Sequence, residues 1–197
     1  MKELKEEGLV LEILELFPRQ GKWTEKDYFN LPETNRKVEL SEGKLIIAPS
    51  PTSKHQEISG NLYFLIRSFN QTQKLGEVRY SPLDVRLQKD KIRQPDIIFM
   101  SNEHKDRIIE RYWGVPDLAV EIISKGSEET DRIEKFAEYE KAGVSEYWIV
   151  DPLDRTIEIY IIDNKKYKMI GKWGLGEIIH SEVLSGFQAS VDDIFSE

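Results

Sequence analysis

The chain has 197 residues, 39% hydrophobic and 32% charged, which suits one well-filled core and is short for two. It has no cysteine, no apolar run long enough to span a bilayer and no signal-like apolar core near Met1, so disulfides, thiolate metal sites and a membrane partner are excluded and a cytoplasmic location is expected. The formal net charge of -8 argues against a protein that coats nucleic acid nonspecifically, but a nuclease whose acids hold a cation stays open.

In chain order, Leu4, Leu11, Ile13, Leu14 and Phe17 form an imperfect apolar stripe that predicts a helix ending before Pro18. Thr24 as N-cap and Asp27 at the capping-box position predict a short helix over 24–29. Lys37–Ser41 and Lys44–Ala48 read as a hairpin around Glu42-Gly43. After Pro49-Ser50-Pro51, Ser53 is the expected cap of a helix running to Lys74 with Ile58, Leu62, Leu65 and Phe69 inward. Strands follow at Glu77–Tyr80 and Leu83–Leu87, around a Pro82 that suits an edge or bulge.

A single strand is expected over Arg93–Met100, a loop or short helix over Asn102–Tyr112, and the most hydrophobic strand over Asp117–Ile123. Ser127–Ala142 predicts a helix capped by Gly143, followed at once by the strand Glu146–Val150. Thr156–Ile162 and Lys166–Ile170 predict a last hairpin. The strand-helix-strand from Leu118 to Val150 predicts a right-handed crossover between parallel strands. The sum is one mixed α/β or α+β sheet with flanking helices. Residues 1–20 are expected to form a helical extension and 21–197 a single domain.

Two acids carry the chemistry. Asp96 and Glu121 sit in strand contexts where a carboxylate is costly unless paired, hydrogen-bonded or bound to a cation. Alternation puts Asp96 with Ile98 and Glu121 with Ile123, so adjacent strands can bring both acids to one cation. Two carboxylates, water and a phosphate make the hard oxygen shell that Mg²⁺ prefers. Lys135 is the lysine suited to orient water and stabilise developing charge, and Asp131, Lys135 and Tyr139 share one helical side. The competing structural reading has Glu121 held by Arg132 or backbone amides, Asp96 in a turn and Lys135 as a solvated partner of Asp131.

The remaining candidates divide the same way. His55 is expected to be a hydrogen-bonded histidine fixing the Pro49-Ser50-Pro51 turn, ahead of a phosphate contact or proton shuttle. His104 and His180 have no supporting constellation. Tyr147 and Trp148 alternate in a strand, so one is expected in the core and the other on a sheet face or interface. Tyr112-Trp113 read as structural rather than base-stacking residues. Lys89, Lys91 and Arg93 form the nearest basic patch for a nucleic-acid backbone, or only a charged hairpin.

Several runs, taken together, resemble the Uma2 family. They are Val38–Leu45, Pro49–Gln56, Gln94–Phe99 and Val120–Ser124, then Asp131, Lys135, Tyr139, Gly143-Val144 and Glu146–Pro152. The likeness covers about residue 24 to the end. It implies a PD-(D/E)XK nuclease-like fold, the restriction-endonuclease-like central mixed sheet flanked by helices with additional N- and C-terminal strands. It places Asp96 on the Pro-Asp motif and Glu121 on the second acidic motif. Ile123 stands where the motif's lysine usually falls. Lys135 matches a lysine offered from the following helix, with Lys125 a weaker substitute. Glu39 matches an early acid that completes a metal shell with Asp96 and Glu121; Glu57 is a lesser candidate.

The implied function is a Mg²⁺- or Mn²⁺-dependent endonuclease cutting DNA phosphodiesters, with RNA left open. The alternative is a catalytically inactive nuclease-fold protein acting in nucleic-acid or protein interaction. A homodimer is expected, helped by the Leu4, Leu11, Leu14 and Phe17 stripe.

Overall fold

The structure, a computed structural model, describes residues 17–32, 34 and 36–196. The expected N-terminal helix and its part in a dimer therefore lie outside the described residues, except Phe17, whose ring stacks on Trp23 at 6.0 Å.

Helix α1 (Glu25–Phe29) starts at Thr24, whose side chain accepts from the Asp27 amide while Asp27 reaches back to the Thr24 amide. Strands β1 (Val38–Ser41) and β2 (Lys44–Ile47) form the expected hairpin. Its turn needs left-handed backbone at Glu42 (φ 50°) and Gly43 (φ 68°), and a Cβ on Gly43 would meet the Gly21 carbonyl group at 2.7 Å. Helix α2 (Ser53–Gln73) is capped by Thr52, not Ser53: the Thr52 hydroxyl accepts from the His55 amide at 3.2 Å. Its buried positions include Ile58, Leu62 and Ile66, with Leu65 and Phe69 at the edge of the core.

Among the described residues the strands form three sheets rather than one. After β3 (Gly76–Tyr80), β4 (Val85–Gln88) and β5 (Lys91–Arg93), the chain crosses Gln94-Pro95-Asp96 into β6 (Ile97–Ser101). The single strand expected over 93–100 is thus broken. Pro95 has no amide to donate to a ladder, and the Gln94 amide turns instead to Glu39 Oε1 at 2.8 Å. Strands β5 and β6 belong to different sheets, ordered β2-β1-β5-β4 in the smaller, antiparallel one.

A 3₁₀ segment (Asn102–Arg107) leads toward β7 (Leu118–Ile122). The expected helix after β7 opens into a π-helical segment, Thr130–Lys135, before helix α3 (Phe136–Ala142). Gly143, at φ 86°, ends α3 as expected. Strands β8 (Glu146–Asp151), β9 (Thr156–Asp163) and β10 (Lys166–Trp173) complete a six-stranded sheet ordered β10-β9-β8-β7-β6-β3. Within it only β7 and β8 pair in parallel, the two strands joined by the helical crossover. The C-terminal hairpin of β11 (Ile178–His180) and β12 (Gln188–Ser190) and the short helix α4 (Val191–Ile194) close the chain.

Strand alternation divides the core in two. Leu118, Val120, Ile122, Trp148 and Val150 pack toward α2 and the C-terminal segment. Ala119, Tyr147 and Ile149 pack with Tyr139 and Val144 on the opposite face. Tyr147 and Trp148 are both fully buried, one in each cluster, so neither is an interface residue. A sheet covered on both sides needs both partners of an alternating pair inside. A third cluster of Trp23, Tyr28, Val38, Leu40 and Ile92 ties α1 to the smaller sheet. Among the described residues, no helix is long and apolar enough to cross a membrane.

Candidate active site

The β6–β7 ladder pairs Ile97 with Val120. One step further along the same antiparallel register, Asp96 stands opposite Glu121. The Asp96 amide donates to Val120 O at 3.1 Å, which fixes that step. Both acids are buried, Asp96 at 6% exposure and Glu121 at 1%. The break at Gln94–Asp96 puts them at the seam between the two larger sheets.

Every oxygen of the pair has a partner. Asp96 Oδ2 accepts from the Ile122 amide at 2.8 Å and lies 3.2 Å from His55 Nε2. Asp96 Oδ1 is 3.2 Å from Lys37 Nζ. Glu121 Oε1 accepts from the Tyr139 hydroxyl at 2.6 Å, and Oε2 lies 2.8 Å from Lys135 Nζ. Lys37 Nζ is also 4.0 Å from Glu121 Oε2. Two ammonium groups therefore meet two facing carboxylates.

The helical crossover supplies the inner ammonium. Lys135 is 2.9 Å from Asp131 Oδ1 in an ion pair that lacks hydrogen-bond alignment, so this oxygen has a compensating charge but no hydrogen bond. Asp131 Oδ2 accepts from the Ser127 hydroxyl at 2.7 Å. The π-helical winding of 130–135 lies where these side chains converge, a common place for such bulges.

Glu39 lies on β1 beside the pair. Its Oε2 accepts from Arg93 Nη1 at 3.0 Å and its Oε1 from the Gln94 amide. Arg93 and Lys91 also bond Glu138 of α3, both at 2.6 Å, and Lys91 bonds Glu42. This network clamps the smaller sheet to α3. It also corrects the expected basic patch: Lys91 and Arg93 are buried and spent on internal acids, leaving only Lys89 outside.

The charge states follow from these contacts. Burial alone would raise the Asp96 carboxyl, but Lys37, His55 and Lys135 hold it well below the ordinary carboxylate range. Burial likewise opposes ionisation of Glu39, and Lys135, Lys37, Arg93 and the Gln94 amide outweigh it. For Glu121 burial wins and pushes the carboxyl up to about 7, with Lys135 and Lys37 offsetting part of the cost. Lys135 is raised well above its ordinary value, because Glu121, Glu39, Asp131 and Asp96 overcome the cost of burying it. It is a fixed cation at neutral pH, not a base.

Of the residues singled out from sequence, Asp96, Glu121, Lys135, Asp131 and Tyr139 converge here. The His55 side chain bonds Asp96 rather than the Pro49-Ser50-Pro51 turn. An ionised Asp96 only accepts, so Nε2 donates to it, and Nδ1 is buried without a hydrogen bond among the described residues. Glu57 and Lys125 are not buried and stand apart from the pair's polar contacts. Arg132 bonds Glu158 and Asp151, not Glu121. Lys37 is the residue that sequence reasoning misses; its only signal there is a position two residues before Glu39, on the same alternating face.

A divalent cation can be tested against this donor set. The facing carboxylates already hold a cation, the Lys37 ammonium, between them. Two hard oxygen donors on one side suit Mg²⁺, which keeps several waters and takes one or two carboxylates. Among the described residues no group of three or more His, Asp or Glu side chains is placed to hold a metal ion together.

The family model that matches residues 25–192 is Uma2, described as "Putative restriction endonuclease". The chain belongs to the Uma2 family. Among solved structures, this Uma2 chain is similar to the crystal structure of a "putative nuclease belonging to DUF820" from Anabaena variabilis ATCC 29413. The match covers 88% of this chain and 97% of that one, at 23% identity and a TM-score of 0.73, and it shows a shared fold. No curated protein matches.

Proposed function

We infer that this Uma2 protein is a nuclease that hydrolyses DNA phosphodiesters with a divalent cation, Mg²⁺ or Mn²⁺. One observation carries the reading: two buried acids face each other across adjacent strands with two lysine ammoniums on them. The family description supports the same reaction class.

In this reading Asp96 and Glu121 would hold the cation, with Glu39 helping directly or through water. A cation held there would supply a more acidic water and a screened phosphate. Lys135, permanently charged, orients that water and stabilises the negative charge that builds on phosphorus. The water oxygen bonds to phosphorus as the bond to the leaving sugar oxygen breaks, the water giving up a proton to solvent and the leaving oxygen taking one from it. His55 and the Ile122 amide orient Asp96, and Tyr139 orients Glu121. A twofold homodimer, using the Leu4, Leu11, Leu14 and Phe17 stripe, could present two sites to one duplex. The lack of cysteine supports a cytoplasmic place of action.

The second reading, an inactive nuclease-fold protein, has its own observation. Ile123 stands where a lysine is usual, and the two acids are already neutralised by lysines. Purified protein incubated with single-stranded, duplex and branched DNA, and with RNA, plus Mg²⁺ or Mn²⁺, separates the two. Cleavage lost in Asp96→Ala and Glu121→Ala supports the nuclease; no cleavage under any condition, or cleavage unchanged in both variants, defeats it. Light scattering behind size exclusion, with and without residues 1–19, tests the dimer.

A further inference from the structure

The two ammoniums of the site are not equivalent. Lys135 is enclosed, with 6% of its side chain exposed, and is tethered by Asp131 as well as Glu121. Lys37 reaches the pair from the solvent side, with 21% of its side chain exposed. Its nitrogen lies 3.2 Å from Asp96 Oδ1 and 4.0 Å from Glu121 Oε2. No third acid holds it among the described residues. Its backbone is fixed, since Lys37 O accepts from the Ala48 amide at 3.0 Å, whereas a lysine's four-carbon stem has rotatable bonds that can carry the ammonium elsewhere.

The Lys37 ammonium donates to Asp96 Oδ1 and stands 4.0 Å from Glu121 Oε2, where a divalent cation shared by the two acids would sit. Two cations in van der Waals contact also repel strongly in a partly dry site. The cation and Lys37 Nζ therefore compete for one position, and Lys37 is the side chain with somewhere to go. We propose that Lys37 is a resident counter-cation beside Asp96 and Glu121 in the metal-free protein, which the divalent cation displaces toward solvent. The inference rests on the reading of Asp96 and Glu121 as the cation-holding pair. It makes Lys37 a positioning residue that sets how tightly the site takes its metal.

The test uses Mn²⁺ alone, without substrate. Reductive methylation of wild-type protein, read peptide by peptide by mass spectrometry, measures how exposed the Lys37 amine is. Labelling of Lys37 is expected to speed up roughly fivefold or more when Mn²⁺ is added, while Lys135 stays protected. In parallel, calorimetry measures the Mn²⁺ affinity of wild type, Lys37→Met, Lys37→Arg and Asp96→Asn, each checked for folding by circular dichroism. Lys37→Met is expected to bind Mn²⁺ roughly tenfold tighter, and Lys37→Arg no tighter than wild type. Lys37 labelling unchanged or slowed by bound Mn²⁺ overturns the proposal, even if Lys37→Met fails to fold. If Asp96→Asn binds Mn²⁺ as wild type does, or wild type binds none at millimolar concentration, the cation-holding pair itself is wrong and this inference falls with it. If binding needs Asp96 while Lys37 labelling does not respond, only the displacement is wrong.

Discussion

The Tyr139 hydroxyl donates to Glu121 Oε1 at 2.6 Å, and both residues are buried, so the inner wall of the site is a tyrosine–carboxylate contact sealed from water. Tyr139→Phe leaves a buried carboxylate oxygen short of its donor. The expected loss is about 1–3 kcal/mol of stability in urea denaturation. A change under about 0.5 kcal/mol would mean that the contact carries no weight in solution.

Lys135→Met removes the cation shared by Glu121 and Asp131. Removing one partner of a buried ion pair typically costs roughly 3–5 kcal/mol, because the remaining charge is left uncompensated. The double variant Lys135→Met, Glu121→Gln should recover part of that loss. Both variants should lack cleavage, so a double variant that regains stability without activity separates folding from chemistry. Full activity in Lys135→Met would remove this lysine from the proposed mechanism.

The metal-free protein should show two opposite pH dependences. The Asp96 carboxyl is held below its ordinary value of 3.8, so its contribution is present above that pH and is lost as pH falls further. The Glu121 carboxyl is raised from 4.5 to about 7, so the folded state binds the extra proton. Its contribution is fully present below 4.5 and is lost as pH rises through 7. Each tenfold difference in proton affinity between the folded and unfolded chain is worth about 1.4 kcal/mol. Denaturation of Glu121→Gln across this window should therefore show a flatter pH profile than wild type. Parallel profiles would place the Glu121 titration elsewhere.

Glu146 is a buried acid outside the site. Its Oε1 accepts from Trp148 Nε1 at 2.5 Å, and its Oε2 from the Glu182 and Val183 amides at 2.9 and 2.8 Å. An acceptor on all sides is what these donors need. Glu146→Gln turns an amide N–H toward one of them and should cost about 1–3 kcal/mol, with the C-terminal segment loosened first in hydrogen exchange. Protection of residues 181–184 equal to wild type would refute this anchor.

The local elements were legible in the sequence because their causes are local. Thr24 and Asp27 cap α1, Glu42-Gly43 turn the first hairpin, and Gly143 ends α3, each through bonds or backbone angles spanning a few residues. Asp96 and Glu121 were legible for a related reason. A charged residue inside an apolar run is costly without a partner, so its presence advertises one. Tertiary structure decided who the partners are. The break after Arg93 that splits the sheets depends on Glu39 capturing the Gln94 amide, across 55 residues. The burial of both Tyr147 and Trp148 depends on helices covering both faces of β8. Lys37 reaches Asp96 across 59 residues, and His55 across 41, through contacts that exist only once α2 and the smaller sheet have docked. Sequence period shows which way a side chain faces; only packing decides what it faces.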